Sequence, residues 1–297
     1  MGAIEGVYLA AHTPRYCTRA AAFEGKLAHP DFQALRDGLI EQGRHLAARA
    51  PEVILINSCH LISTFSTLVD GTARHRGTLT AQEAPDLIAG VDFDFPGDRE
   101  LASLIVERAR GRGHPAGFVD DLHYPLDYGT VMPIVCYLDP GQRIPVIPVS
   151  VTLLNTLEEC FEWGRILVES IRETDRRGVF VASGALSHRL VRGPERWPLP
   201  EHMALDHAFA RRLVEGDYQG LWEELPQFAA TVEAEMGGRH LAMMLGVLLG
   251  AETSWTATVH AYGPSSGSGN YAISFASSES RRRARSSEAR FITGSPP

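Results

Sequence analysis

Three histidines in this chain each stand just beyond a run of apolar residues. Val7–Ala11 (VYLAA) leads into His12, Val53–Ser58 (VILINS) leads into Cys59 and His60, and the start of Val179–Arg189 (VFVASGALSHR) leads through a small-residue turn into His188. Short apolar runs rich in β-branched and aromatic residues read as buried strands. In an open α/β sheet, ligands and chemistry collect beyond the carboxyl ends of the strands. Histidines placed there can meet at one edge of one sheet. His12 and His60 are then neutral imidazole donors for a metal ion. Two histidines and one carboxylate on one face leave positions open for a substrate and O2, the facial arrangement of non-haem Fe(II) oxygenases. A histidine after a strand also serves as an ordinary loop or capping residue, so spacing alone leaves both roles open.

The elements that must position these side chains follow from the apolar pattern. Ile4–Ala11 is a buried strand, and Val53–Asn57 is too apolar to be exposed on either face, which favours a parallel, doubly covered position. Gly178–Ala182 is a third strand. Asp31–Arg49 is an amphipathic helix with Phe32, Leu35, Leu39 and Ile40 on one side and Asp31 as its N-cap. Asp98–Arg110 and Leu157–Glu173 are further helices, and His114–Asp121 is a short strand and turn. Arg143–Thr152 (RIPVIPVSVT) is another apolar run whose two prolines place it at a sheet edge or at strand ends. Leu61–Val91 reads as a hairpin or long loop. Leu122–Pro133 reads as irregular, the kind of segment that carries function when a scaffold positions it. Asp206–Gly216 and Tyr218–Leu225 are short helices. Phe228–Leu249 is a long helical stretch interrupted at Gly237 and Gly238. Trp255–Tyr262 and Asn270–Phe275 alternate as strands and form a hairpin across Gly263–Gly269. The whole is an α/β fold. Residues 1–276 form a single large domain, with a central mostly parallel sheet covered by helices on both faces and a C-terminal hairpin.

Composition narrows the class. A formal net charge of −8 over 297 residues argues against a general nucleic-acid-binding surface. Cys17, Cys59, Cys136 and Cys160 are widely spaced and form no CxxC pair, so reduced thiols in a cytoplasmic protein are the simplest reading. The opening MGAIEGVYLAAHTPR lacks the basic region and the apolar length of a signal peptide. No run approaches the ~20 apolar residues of a membrane span. Ser277–Pro297 is rich in arginine and serine and reads as a solvated, disordered tail.

Several short motifs stand in order along the chain: AHTP around His12, NSCH ending in His60, LDYGTVMP at Leu126–Pro133, ASGALSH at Ala182–His188, LPQF at Leu225–Phe228 followed by Glu235, and GSGN at Gly267–Asn270. In this order and at these separations the chain resembles the class III (LigB-type) extradiol ring-cleaving dioxygenases, over nearly everything before the tail. The resemblance implies that His12, His60 and Glu235 bind Fe(II). Another way of matching the last helix, on the apolar run Leu241–Leu249, puts His240 where some members carry their glutamate. The resemblance also implies that His188 is the acid/base beside the metal, a role suited to imidazole because its ordinary pKa lies near working pH. Many members carry a histidine in a DHG motif where this chain has Asp127, Tyr128 and Gly129. Tyrosine there is similar to the branch that cleaves 2-aminophenol. A phenol titrates far above neutrality, so the resemblance implies that Tyr128 orients substrate or an oxygen intermediate, and with His188 is a candidate to assist O–O cleavage, rather than shuttling a proton as histidine does. His123, five residues earlier, is a further candidate for contact with substrate.

By this resemblance the substrate is a catechol or a 2-aminophenol derivative, opened with O2 beside the two chelating heteroatoms to a semialdehyde. The chain would work as a homo-oligomer, or paired with a related chain that lacks the iron ligands. Two other classes remain: a relative that keeps the fold and binds a metal or partner without turnover, and a zinc hydrolase using the same ligands.

Overall fold

The computed structural model describes residues 1–14, 30–82, 85, 87–191 and 196–278. Ten strands are present among them: β1 (Ala3–Ala10), β2 (Val53–Ser63), β3 (Thr67–Asp70), β4 (Arg74–Leu79), β5 (Val91–Pro96), β6 (Ala116–Val119), β7 (Val146–Thr152), β8 (Arg177–Ser183), β9 (Trp255–Ser265) and β10 (Ser268–Ser277). Eight of them form one sheet in the order β6-β3-β7-β2-β8-β1-β10-β9, while β4 and β5 pair separately. The centre of the sheet, β7-β2-β8-β1, is parallel throughout, and β10 and β9 add an antiparallel hairpin at one end. The expected α/β architecture is present.

The strands are apolar on both faces because both faces are covered. Along β1, Val7 and Leu9 join one core while Tyr8 and Ala10 join the other. In β8, Phe180 and Ala182 oppose Val179 and Val181 in the same way. Side chains alternate across a strand, so a doubly covered strand needs a continuous apolar run. The first core is closed by α2 (Arg99–Gly111), α4 (Leu157–Arg172), α5 (Pro200–Glu215), α6 (Tyr218–Thr231) and α7 (Arg239–Gly250). The second is closed by α1 (Pro30–Ala47), by the short helix α3 (Tyr128–Pro133) with the π-helical turn Ile134–Leu138 that follows it, and by the β4–β5 pair.

Several expectations are corrected. The run Arg143–Thr152 becomes β7, which lies inside the sheet and not at its edge. Its prolines are tolerated because β7 is laddered along one flank only. Residues 146–152 pair with β2, whereas β3 meets β7 at the single bridge Val69–Val149, so a missing N–H costs little. Leu122–Pro133 is irregular only in its first half. Asp127 caps α3 by accepting from the Thr130 N–H at 3.0 Å. Helix α1 starts at Pro30, so Asp31 lies inside its first turn and is not its N-cap. The hairpin turn is tighter than Gly263–Gly269. Ser265 pairs with Ser268, and Ser266 and Gly267 between them adopt φ values of 50° and 87°, the left-handed pair of a two-residue turn. Phe228–Leu249 is two helices. Helix α6 ends at Thr231, and a 3₁₀ turn, Glu235–Gly238, separates it from α7. Glu235 therefore lies outside both helices. The arginine-serine tail beyond Ser278, and Cys17, lie outside the described residues.

Candidate metal centre

The register of the parallel strands brings the three histidines together. Strand β8 runs between β2 and β1, so the carboxyl ends of all three are adjacent. His12 follows β1, His60 lies where the pairing of β2 with β7 slips between Ser58 and Ile62, and His188 follows the turn after β8. The His12 and His60 rings meet edge to face at 4.9 Å.

A serine sets the state of His12. Ser183, the last residue of β8, is fully buried. Its Oγ donates to the Gly129 carbonyl at 2.6 Å and lies 2.9 Å from His12 Nδ1. A hydroxyl has one hydrogen, and Gly129 takes it. Ser183 must then accept from His12 Nδ1–H, which turns Nε2 inward, 3.2 Å from Glu235. A second serine steadies the next ligand. Ser58 Oγ donates to Asp127 Oδ1 at 2.5 Å and accepts the His60 backbone N–H at 3.1 Å. The Tyr128 hydroxyl, carried by α3, lies 2.7 Å from His60 Nε2, with the two rings 4.1 Å apart.

Glu235 completes the site from the break between α6 and α7. Its Oε2 accepts the Ala185 N–H at 2.6 Å, which aims Oε1 at the histidines. Oε1 lies 3.2 Å from His12 Nε2, 3.4 Å from His60 Nε2 and 3.5 Å from His188 Nε2. Burial alone would push this carboxyl up. The surrounding histidines outweigh it and hold Glu235 well below the ordinary carboxylate range. His188 moves down from its ordinary value, mainly through burial, with Glu235 opposing and His12 and His60 assisting. Three imidazole nitrogens and an ionised carboxylate thus converge on one point, where a bound cation would take the place of the imidazole protons that otherwise face the carboxylate. Among the described residues, His12, His60 and Glu235 are the group whose ligand atoms, all within 4.8 Å of one another, can hold a metal ion. Two neutral imidazoles and a carboxylate suit a divalent first-row metal.

The neighbouring groups have other places. His240 is completely buried on α7 against Gly184 and is pushed down to about 4, chiefly by burial. Cys59 is buried, and its thiol is pushed well up by burial and by the nearby Glu235 and Asp127. It stays protonated and is a poor ligand.

A cavity of about 570 Å³ opens over His12, His60, Tyr128, His188 and Glu235. Leu87 and Leu190 contribute apolar surface to it, and the β9–β10 turn contributes a polar wall of Ser265, Ser266, Ser268 and Asn270. His123 is exposed in a turn, where its backbone N–H bonds Asp121, and is not among the residues that line the cavity. Sequence reasoning missed Ser58, Ser183 and the serine wall. All three lie in or beside the small-residue motifs NSCH, ASGALSH and GSGN, and small polar residues at strand ends were the available signal.

The family described as the catalytic LigB subunit of aromatic ring-opening dioxygenase matches residues 6–273. The 3,4-dihydroxyphenylacetate 2,3-dioxygenase of Escherichia coli is 23% identical over 224 residues, covering 72% of this chain and 81% of that protein. The alpha subunit of 2-aminophenol 1,6-dioxygenase from a Pseudomonas species is 25% identical over 264 residues, covering 82% and 91%. The beta subunit of the same enzyme is 26% identical over 241 residues, covering 75% and 77%. Among solved structures, an uncharacterized protein of Escherichia coli K12 superposes with a TM-score of 0.54 at 20% identity, covering 80% of this chain and 91% of that one. That likeness is one of fold.

Proposed function

The chain belongs to the LigB family of aromatic ring-opening dioxygenase subunits, and from that premise we propose that it is an Fe(II)-dependent extradiol dioxygenase that opens a catechol or 2-aminophenol ring with O2 to a semialdehyde. The observation that carries the reading is the single carboxylate oxygen of Glu235 facing the Nε2 atoms of His12, His60 and His188 within 3.5 Å. His12, His60 and Glu235 would hold the ion. Bound there, Fe(II) would supply a Lewis-acidic, redox-active centre with open positions for the two ring heteroatoms and O2.

The chain's own residues do the rest. Ser183 and Ser58 hold His12 and His60 in place, and the Ala185 N–H holds Glu235. His188, kept neutral by burial, takes the proton of the substrate hydroxyl at its Nε2 and returns it as the ring opens. Tyr128 directs its hydroxyl to the same corner of the cavity and orients the bound ring. Leu87 and Leu190 offer apolar surface to that ring, and the walls keep bulk water from it. Likeness to both the alpha and the beta subunit of 2-aminophenol 1,6-dioxygenase supports pairing of this chain with a related chain. The thiols of Cys59 and Cys160, which form no disulfide, support a cytoplasmic protein, and no described helix is long and apolar enough to cross a membrane.

The test is to load the protein with Fe(II) without oxygen and follow O2 uptake with catechol, protocatechuate and 2-aminophenol, using zinc-loaded protein as the control. Iron-dependent uptake with the new visible absorbance of a semialdehyde is expected. Failure to bind iron, or turnover that zinc supports equally, overturns the reading.

A further inference from the structure

The turn that carries His188 is pinned from three sides. On the β10 side, Leu186 N–H donates to Gly269 O at 3.0 Å and Gly269 N–H donates to Ser187 O at 2.9 Å. On the side of the α6–α7 break, His188 N–H donates to Val232 O at 3.3 Å. The third side is a buried acid on α5. Ser187 N–H donates to Asp206 Oδ1 at 3.1 Å, and Ser187 Oγ donates to Asp206 Oδ2 at 2.6 Å. Tyr262, on β9, donates its hydroxyl to the same Oδ2 at 2.8 Å.

Asp206 has no exposed surface, and a carboxylate, acceptor-only, is the side chain that can take three donors at once. It also stands behind the cavity wall. A Cβ on Gly269 would fall on Asp206 Oδ2, and the neighbours of Gly269, Ser268 and Asn270, both line the cavity. One carboxylate therefore backs both the His188 turn and the strand facing it. Burial raises its pKa to about 6, against the opposing hydrogen bonds of Ser187 and Tyr262, so it is ionised at neutral pH. Among the described residues, Ser187 and Tyr262 are the groups seen to bond this carboxylate, and a packed apolar residue there would otherwise cost less.

We propose that Asp206 is a positioning residue for ring opening: through Ser187 it holds the turn that presents the His188 imidazole to the substrate. The inference rests on the reading of His188 as the group that moves the substrate proton. Asparagine at 206 keeps the size but replaces one acceptor oxygen by an NH2 donor, so either the Ser187 N–H loses its acceptor or Ser187 Oγ and Tyr262 lose theirs together.

The experiment is a double-mutant cycle on the iron-loaded protein, comparing Asp206→Asn, His188→Ala and the pair in single-turnover ring opening. Asp206→Asn is expected to lower the single-turnover rate by about tenfold or more, with iron stoichiometry unchanged. In the His188→Ala background it is expected to cost nothing further. Equal losses in both backgrounds, or no loss in either, overturn the proposal. Ser187→Ala removes one of the same bonds while leaving the carboxylate in place, and it carries the cycle if Asp206→Asn does not fold. A second readout needs no turnover: ¹⁵N-histidine spectra of the zinc-loaded protein, with the His188 resonances assigned by their loss in His188→Ala. Asp206→Asn is expected to shift or broaden those resonances and leave those of His12 and His60 in place. A shifted His188 in a protein that opens no ring retains the positioning role and removes the proposed function. An unmoved His188 in an active protein removes the positioning role alone.

Discussion

A carboxylate oxygen within 3.5 Å of three imidazole nitrogens divides the residues around it into holders and movers. His12 and His60 are the proposed holders. His12→Ala or His60→Ala is expected to abolish stoichiometric iron binding, measured by metal content after gel filtration, whereas His188→Ala keeps the iron and loses turnover. An active His60→Ala protein without iron would end the ligand assignment. His188 must be neutral to accept a proton, and burial moves its pKa below the ordinary 6.5. Activity is therefore present above that lowered pKa and falls as pH drops through it. The acid limb of the rate profile is expected below pH 6.5, further down with a cation beside it, and absent from the residual rate of His188→Ala. Tyr128→Phe is expected to lower kcat more than it raises KM, because the hydroxyl sits beside His60 Nε2 and directs the ring without holding the ion. An unchanged kcat would leave Tyr128 a packing residue.

The element that places Glu235, the proposed third ligand, is a helix break, not a helix. Glu233, Met236, Gly237 and Gly238 all take positive φ, at 50°, 48°, 63° and 79°. Turning the chain this sharply takes Glu235 off the path of a continued α6 and under the Ala185 N–H. Left-handed backbone costs a residue with a Cβ about 1–2 kcal/mol, and at Gly238 that Cβ would also stand 3.0 Å from Ala229. Gly238→Ala is expected to lower stability by roughly that amount and to weaken metal binding at the same time, read by thermal melting and by competition with a chelator. Lost stability with undiminished metal affinity would mean that the break is structural only. The two glycines were legible as an interruption, but the direction of the turn was not. A glycine pair announces that a helix can stop, and the packing of α7 against α4 and β8 decides where the chain goes next.

Across the whole molecule the centre joins parts that are otherwise separate: His12 after β1, His60 in β2, and Glu235 between α6 and α7. An ion bound to the folded state alone, at a hundredfold excess over its Kd, stabilises it by about 2.7 kcal/mol. The iron-loaded protein is expected to melt several degrees above the metal-free one, and a chelator is expected to reverse the gain. His12→Ala should show neither effect, and a melting point indifferent to metal would mean that the three parts do not share an ion. The sequence by itself determined the parts with local signatures. Runs apolar at every position marked strands covered on both faces. The histidines just past three apolar runs marked the edge of the sheet where the candidate site lies, and the ordered motifs marked the family. Tertiary structure decided what depends on distant partners. Pro148 sits inside the sheet because β3 scarcely pairs with β7. His12 takes its tautomer from Ser183, 171 residues away, and meets Glu235 across 223. Asp206 reads as one more helical acid until Ser187 and Tyr262 are seen to converge on it. Periodicity reports which face of an element is buried, because burial repeats with the pitch of the chain. Hydrogen bonds between elements have no period, and only the folded molecule brings their two ends together.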